Sequence, residues 1–116
     1  MFSYEKLQVY QRATEWLAVS SVLLSGIPKG NAELANQLRR AALSIPLNIA
    51  EGAGKTSEAD KKRFYSIARG SSLECAAILD AMKILELGNS KEIEQGKKLL
   101  KDIASMLTAL VFRWKA

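Results

Sequence analysis

Apolar residues recur at three- and four-residue spacing in four segments of the chain, with the main glycine-containing interruptions between them. That period belongs to α-helices, and no segment shows the strict alternation of a strand. In the first segment Ser3 is a candidate N-cap, with Phe2 placed to pack on Leu7 as a hydrophobic staple. Leu7, Tyr10, Leu17 and Leu24 form its stripe, with Val9, Ala13, Trp16 and Leu23 beside them. It is expected to end near Ser25, because Gly26 suits a left-handed C-terminal position and Pro28 cannot continue the ladder. Asn31 can cap a second helix, with Glu33 favourable in its first turn and a stripe of Leu34, Leu38, Ala41, Ile45 and Ile49. Gly52 and Gly54 end it, and Pro46, which removes the bond to the Ala42 carbonyl, predicts a kink or a break. The third helix starts at Ser57 with Asp60 three residues on, and presents Phe64, Ile67, Ser71, Cys75, Ile78, Met82 and Leu85 until Gly88 closes it. Asn89 with Glu92 opens the fourth, whose stripe is Ile93, Gly96, Leu100, Ile103, Leu107, Leu110 and Trp114.

Helices of this length run ~30 to 45 Å, and short connections force neighbours antiparallel. The expectation is an all-α chain folded as an antiparallel up-down-up-down four-helix bundle, one domain over residues 1–116. The composition, 48% hydrophobic and 25% charged, agrees with a chain that buries a core. Residues 16–28 are the longest uncharged stretch and fall short of the ~20 apolar residues of a membrane span. A single cysteine needs no oxidising compartment, and Glu5 and Lys6 ahead of the first apolar run give no signal-peptide pattern, so the cytoplasm is the expected location.

At 100° per residue the second helix separates into three stripes. Beside the core face runs a polar stripe of Gln37, Arg40, Ser44, Asn48 and Glu51. Opposite it lie Leu43, Leu47 and Ala50, where a lone bundle should show polar residues. A helix apolar on two sides is buried on two sides, which predicts self-association through Leu43, Leu47 and Ala50. The alternative is that Pro46 turns these residues into the same core. On the third helix Gly70, Ala77 and Ala81 form a small-residue flank that suggests close approach of a neighbouring helix.

The chain has no histidine, which removes the commonest general base, the commonest zinc ligand and the Glu-x-x-His motif of di-metal bundles. Of the acids, only Glu51 and Glu74 fall close to buried positions. The simplest reading pairs them with Arg40, Arg63 or Arg69, giving a structural polar network of Arg40, Ser44, Asn48, Glu51, Arg63 and Glu74. The run Gly54-Lys55-Thr56 resembles the end of a phosphate-binding loop, but Ile49 stands where the first glycine would be and a helix precedes it, so a helix end followed by a cap is preferred. Cys75 reads as a small buried hydrophobe without an activating neighbour. No catalytic residue, metal or cofactor is expected, and the chain is read as not an enzyme.

Seventeen Lys and Arg against twelve Asp and Glu give a net charge of +5. Residues 89–116 hold six of the cations against three acids, a net of +3, leaving +2 for the rest. Lys91, Lys97, Lys98, Lys101, Arg113 and Lys115 are therefore the candidate anion surface, with nucleic-acid phosphate the natural partner. Glu94 to Lys98 is also an ordinary i,i+4 pair, and Tyr65 and Trp114, which could stack on bases, sit near apolar stripes. A nucleic-acid-processing protein could be the partner in place of nucleic acid itself. The competing function is a protein-binding scaffold without nucleic acid.

Residues 37–52, QLRRAALSIPLNIAEG, and 62–74, KRFYSIARGSSLE, preceded by FSYEKLQVYQRA at 2–13, resemble the bacterial family first noticed as proteins encoded by intervening sequences in 23S ribosomal RNA genes. The resemblance is carried by Arg39, Arg40, Ser44, Ile45, Asn48, Ile49, Ala50, Glu51 and Gly52, then Ala68, Gly70, Ser71 and Glu74. It implies an antiparallel four-helix bundle, a ring-shaped homopentamer and a mostly unassigned function. The chain is more distantly similar to the accessory variability proteins of diversity-generating retroelements, which implies nucleic-acid binding through basic surfaces in support of a reverse transcriptase.

Overall fold

The computed structural model describes residues 2–112. Four helices make the architecture: α1 (Gln8–Ser25), α2 (Ala32–Ala53), α3 (Glu58–Ile84) and α4 (Ser90–Phe112), with short 3-10 turns at Ser3–Lys6 and Lys29–Asn31. There is no strand among the described residues, and no helix there is long and apolar enough to cross a membrane.

The caps of α3 and α4 form where the sequence places them. Ser57 Oγ accepts from the Asp60 N–H at 3.1 Å, and Asn89 Oδ1 accepts from the N–H groups of Lys91 and Glu92 at 2.9 and 3.2 Å. Asn31 precedes α2 as expected, but its side chain makes no capping bond. The entry to α1 differs more. Glu5 Oε2 accepts from the Phe2 N–H at 2.6 Å and Leu7 is extended, so the helix begins at Gln8 and Ser3 is not its cap. Phe2 stacks on Tyr4, ring centroids 5.7 Å apart, and stays exposed, so no staple to Leu7 forms. Gly26 does end α1, in right-handed backbone (φ −89°, ψ −2°). Helix α2 runs through Pro46 without a break. Gly52 is a buried part of it, and Lys61 Nζ donates to the closing carbonyls of Gly52 and Ala53 at 3.4 and 3.0 Å. Helix α3 stops at Ile84, short of Gly88, in a Schellman turn: Leu87 N–H donates to Met82 O at 2.8 Å and Glu86 N–H to Lys83 O at 3.2 Å.

Each helix packs on its sequence neighbours and α4 closes on α1, while the backbones of the diagonal pairs α1/α3 and α2/α4 stay apart. The pairs Arg69–Thr108 and Asp80–Lys97 run in opposite chain directions on α3 and α4, as do Ser44–Ser71 and Gly52–Tyr65 on α2 and α3. Alternation follows, with the start of α3 and the end of α2 at the same end of the bundle.

The core follows the expected stripes of α2 and α4, burying Leu38, Ala41, Ile45 and Ile49 on one and Ile93, Gly96, Leu100, Ile103 and Leu107 on the other. On α1 the buried line is Val9, Ala13, Trp16, Ser20 and Leu23, while Leu7, Tyr10, Leu17 and Leu24 are only partly covered. On α3 it is Tyr65, Ala68, Ser72, Cys75, Leu79 and Met82, with Ile78 beside it. Ile67 (44% exposed) and Leu85 (57%) leave the expected stripe for the surface. The reason is packing rather than hydrophobicity. A Cβ on Gly96 would stand 2.9 Å from both Trp16 Cζ3 and Leu79 Cδ1, so glycine lets the Trp16 ring occupy the centre and fixes the rotation of α1. Buried hydroxyls fit because each bonds its own helix: Ser20 Oγ donates to Leu17 O at 2.7 Å and Ser72 Oγ to Ala68 O at 2.9 Å. Close approach occurs at Gly96 and Gly52, not at Gly70, where an added Cβ would meet nothing within 4 Å.

Candidate nucleic-acid interface

Lys91, Lys98 and Lys101 are exposed on α4 and Lys97 is half-buried. Lys97, Lys98 and Lys101 line one groove of about 670 Å³ between α3 and α4. Its apolar lining comes from Leu73, Ala76, Leu100 and Ala104, and the hydroxyls of Ser72, Ser105 and Thr108 add polar points. Lys97 Nζ donates to Asp80 Oδ1 at 2.6 Å, which neutralises one of the three lysines. Lys98 and Lys101 form no ion pair among the described residues, and Glu94 is the one acid in the lining. Lys91 stands apart, in a depression shared with Lys83, Asn89, Ser90, Ile93 and Glu94. Arg113, Lys115 and Trp114 lie outside the described residues. Tyr65 is buried at 7% exposure, so it packs in the core and offers no face to a base.

Spacing along the chain does not single out Arg69 for an anion surface, yet it bonds Thr108, one of the residues that line this groove. Its Nε donates to Thr108 Oγ1 at 2.7 Å, and Thr108 Oγ1 donates in turn to Ala104 O at 2.7 Å. Its guanidinium stands 6.0 Å from the Phe112 ring centroid.

On α2, Leu43 is 45% exposed and Leu47 59%, with Ala50 partly covered. Pro46 does not turn them into the core. Leu47 and Ala50 border a depression of about 420 Å³ with Glu51, Gly54 and Lys55. Ile67 is exposed on the adjoining helix, and the Ser44–Ser71 register brings it level with Asn48, which widens the apolar surface beyond what α2 alone predicts.

The polar stripe is only partly drawn together. Ser44 and Ser71 hydroxyls meet at 2.8 Å, and Asn48 Nδ2 donates to Ser44 O and Oγ at 2.8 and 3.0 Å. The expected pairs of Glu51 or Glu74 with arginine do not form. Glu51 is exposed and takes Lys55 one turn away at 3.1 Å, while Arg63 lies 4.0 Å from Asp60 and packs over the Phe64 ring at 4.5 Å. Glu74 and Arg40, both exposed, line a shared groove with Gln37, Ala41, Ser44 and Ser71. Solvation at the surface removes the desolvation cost that would have demanded partners. Gly54-Lys55-Thr56 follows helix α2 rather than a strand, and Lys55 is committed to Glu51.

Burial pushes the Cys75 thiol up to about 12, with the Glu74 charge adding to the shift. The Trp16 indole N–H is near enough to the sulfur to oppose that shift, but its approach falls short of a formed hydrogen bond and leaves Nε1 without a partner. No group of three or more His, Cys, Asp or Glu gathers as a metal site among the described residues.

The sequence model of one protein family, described as 23S rRNA-intervening sequence protein, matches residues 5–109. A search of curated proteins finds no match.

Proposed function

Given that the chain belongs to the family of 23S rRNA-intervening sequence proteins, we propose that it is a non-enzymatic homo-oligomeric bundle that binds nucleic acid through the basic surface of α4. The observation that carries this reading is the pair Lys98 and Lys101, exposed, without an ion pair among the described residues, and lining a groove in which Glu94 is the one acid among those residues. Phosphate neutralised by such lysines releases counterions, which makes affinity depend on salt. Assembly through Leu43, Leu47 and Ala50 is compatible with that role, because α2 and α4 are diagonal in the bundle and docking on one leaves the other clear. A chain without histidine, whose cysteine is held as a thiol, supports binding rather than catalysis.

The test is fluorescence anisotropy of labelled RNA and DNA against the full chain across a salt series. Affinity should fall linearly on logarithmic axes as salt rises, with a slope of roughly 0.7 to 0.9 per phosphate contacted. Lys98→Glu with Lys101→Glu should weaken binding at least about tenfold with the helical signal and melting temperature unchanged. Absence of binding at about 50 mM salt, or affinity indifferent to salt, overturns the reading. A second reading, a protein-binding scaffold that does not take nucleic acid, is favoured by one observation: Leu73 is half exposed in the apolar part of the groove. It predicts that the lysine reversals leave partner binding intact while Leu73→Glu abolishes it.

A further inference from the structure

The seam between α3 and α4 carries more positive charge than α4 supplies. Lys62, Arg69, Leu73, Ala76 and Asp80 recur at helical spacing on the side of α3 that meets α4. Asp80 holds Lys97, Arg69 holds Thr108, and Lys62 shares a small recess with Leu110. Between Lys62 and Asp80 the helix rises ~27 Å at about 1.5 Å per residue. Of the acids around this track, Asp80 and Glu94 stand at one end and Glu58 at the other, while exposed Asp102 follows Lys101 on α4 outside the lining of the groove. Lys98, Lys101, Arg69 and Lys62 lie between them. Arg69 spends Nε on Thr108, and its two terminal nitrogens make no hydrogen bond or ion pair among the described residues, which suits them to an anion.

The apolar bed of the groove, Leu73, Ala76 and Ala104, is of no use to a duplex, whose bases are stacked inside and whose phosphates would touch only the lysine rim. A single strand can set its phosphates on the rim and turn base faces onto the bed, with the half-exposed Phe112 ring beside Arg69 as a further platform. Resting on the nucleic-acid reading above, we infer that the α3/α4 seam is a single-strand binding groove, in which Arg69 and Lys62 of α3 contact phosphate together with Lys98 and Lys101 of α4. Its length suits a short site, roughly four nucleotides, at the low end of single-strand binding domains.

The experiment compares, at one low salt concentration, a labelled oligouridylate of about 12 nucleotides with a labelled RNA duplex of the same length, each titrated with the full chain. Expected is at least about tenfold tighter binding of the single strand. Leu73→Glu and Arg69→Gln should each weaken single-strand binding about fivefold or more while duplex affinity stays within about twofold. Leu73 is half exposed, so its variant keeps the test valid even where Arg69→Gln disturbs the Thr108 contact. Equal or tighter duplex binding, or a single-strand affinity that ignores Leu73→Glu, overturns the groove and leaves the nucleic-acid reading standing. Binding of neither nucleic acid overturns both.

Discussion

Glu86 sits where the turn out of α3 would be unstrained with glycine. Its φ is 57°, and it occupies the left-handed position of the Schellman turn, donating to Lys83 O while Leu87 N–H reaches Met82 O. Left-handed backbone costs an L-residue ~1–2 kcal/mol. Glu86→Gly removes that strain but releases more freedom in the unfolded chain, an opposing ~0.4–1 kcal/mol. The Glu86 side chain is exposed and makes no hydrogen bond or ion pair among the described residues, so little else changes. The net is a stabilisation of about 0.5–1 kcal/mol, or ~2–5 °C in melting temperature for a chain of this size. Circular dichroism melts at matched protomer concentration measure it, since assembly makes the midpoint depend on concentration. Glu86→Ala keeps the Cβ and should shift the midpoint by less than about 2 °C. A glycine variant that melts at or below the parent, or an alanine variant stabilised as much as the glycine one, would refute the assignment of strain to this residue.

Leu47→Glu is expected to leave a helical protein of smaller mass in light scattering, and an unchanged mass would count against docking through α2. Gly70→Ala should stabilise the fold by up to about 1 kcal/mol, because the added methyl meets nothing within 4 Å and helix propensity favours it. Gly96→Ala should instead cost about 1 kcal/mol net, since its methyl would stand 2.9 Å from the buried Trp16 ring and Leu79 and overpacking outweighs propensity; urea melts that rank the two variants the other way exclude this packing. The Cys75 thiol, raised from 9.0 to about 12, favours the folded state in its neutral form. That contribution is whole below pH 9 and is lost as pH climbs toward 12, with the loss detectable as a lower urea midpoint in alkaline buffer. At pH near 8 thiol labelling should proceed only as fast as the chain unfolds, and labelling at the rate of a free thiol would show that the site is open.

Helix number, most boundaries and the inner faces of α2 and α4 were legible because Leu and Ile fill most of those core positions. The rotations of α1 and α3 were not. Their buried lines pass through Ser20 and Ser72, hydroxyls that satisfy themselves on the preceding turn, whereas Phe64 and Ile67 look more like core by size. Only the partner surface decides such cases, here the space that Gly96 opens for Trp16. The outer apolar stripe of α2 could be read from angular position alone, since Leu43 and Leu47 lie opposite Ile45 and Ile49. Arg69 escaped because spacing does not reveal which side of α3 meets α4. The end of α3 was expected at Gly88, which does have φ 75°, but the helix had already ended at Ile84, two residues ahead of the left-handed Glu86.

The +5 charge means little spread over 116 residues and more once its placement is known. Lys97 is cancelled by Asp80 and Lys55 by Glu51, so those cations add no free positive charge to the surface. Lys98, Lys101 and Arg69 remain along one seam, and a groove that engages only a few phosphates binds weakly and is easily displaced by salt. Copies joined through the outer face of α2 would leave the lysines of α4 clear, because α2 and α4 are diagonal in the bundle. A long strand held by one groove then meets the next at a raised effective concentration, and affinity grows without any new contact. Under this reading the apolar face of α2 and the basic seam are parts of one device: the first sets how many grooves a strand can meet, and the second sets how firmly each one holds.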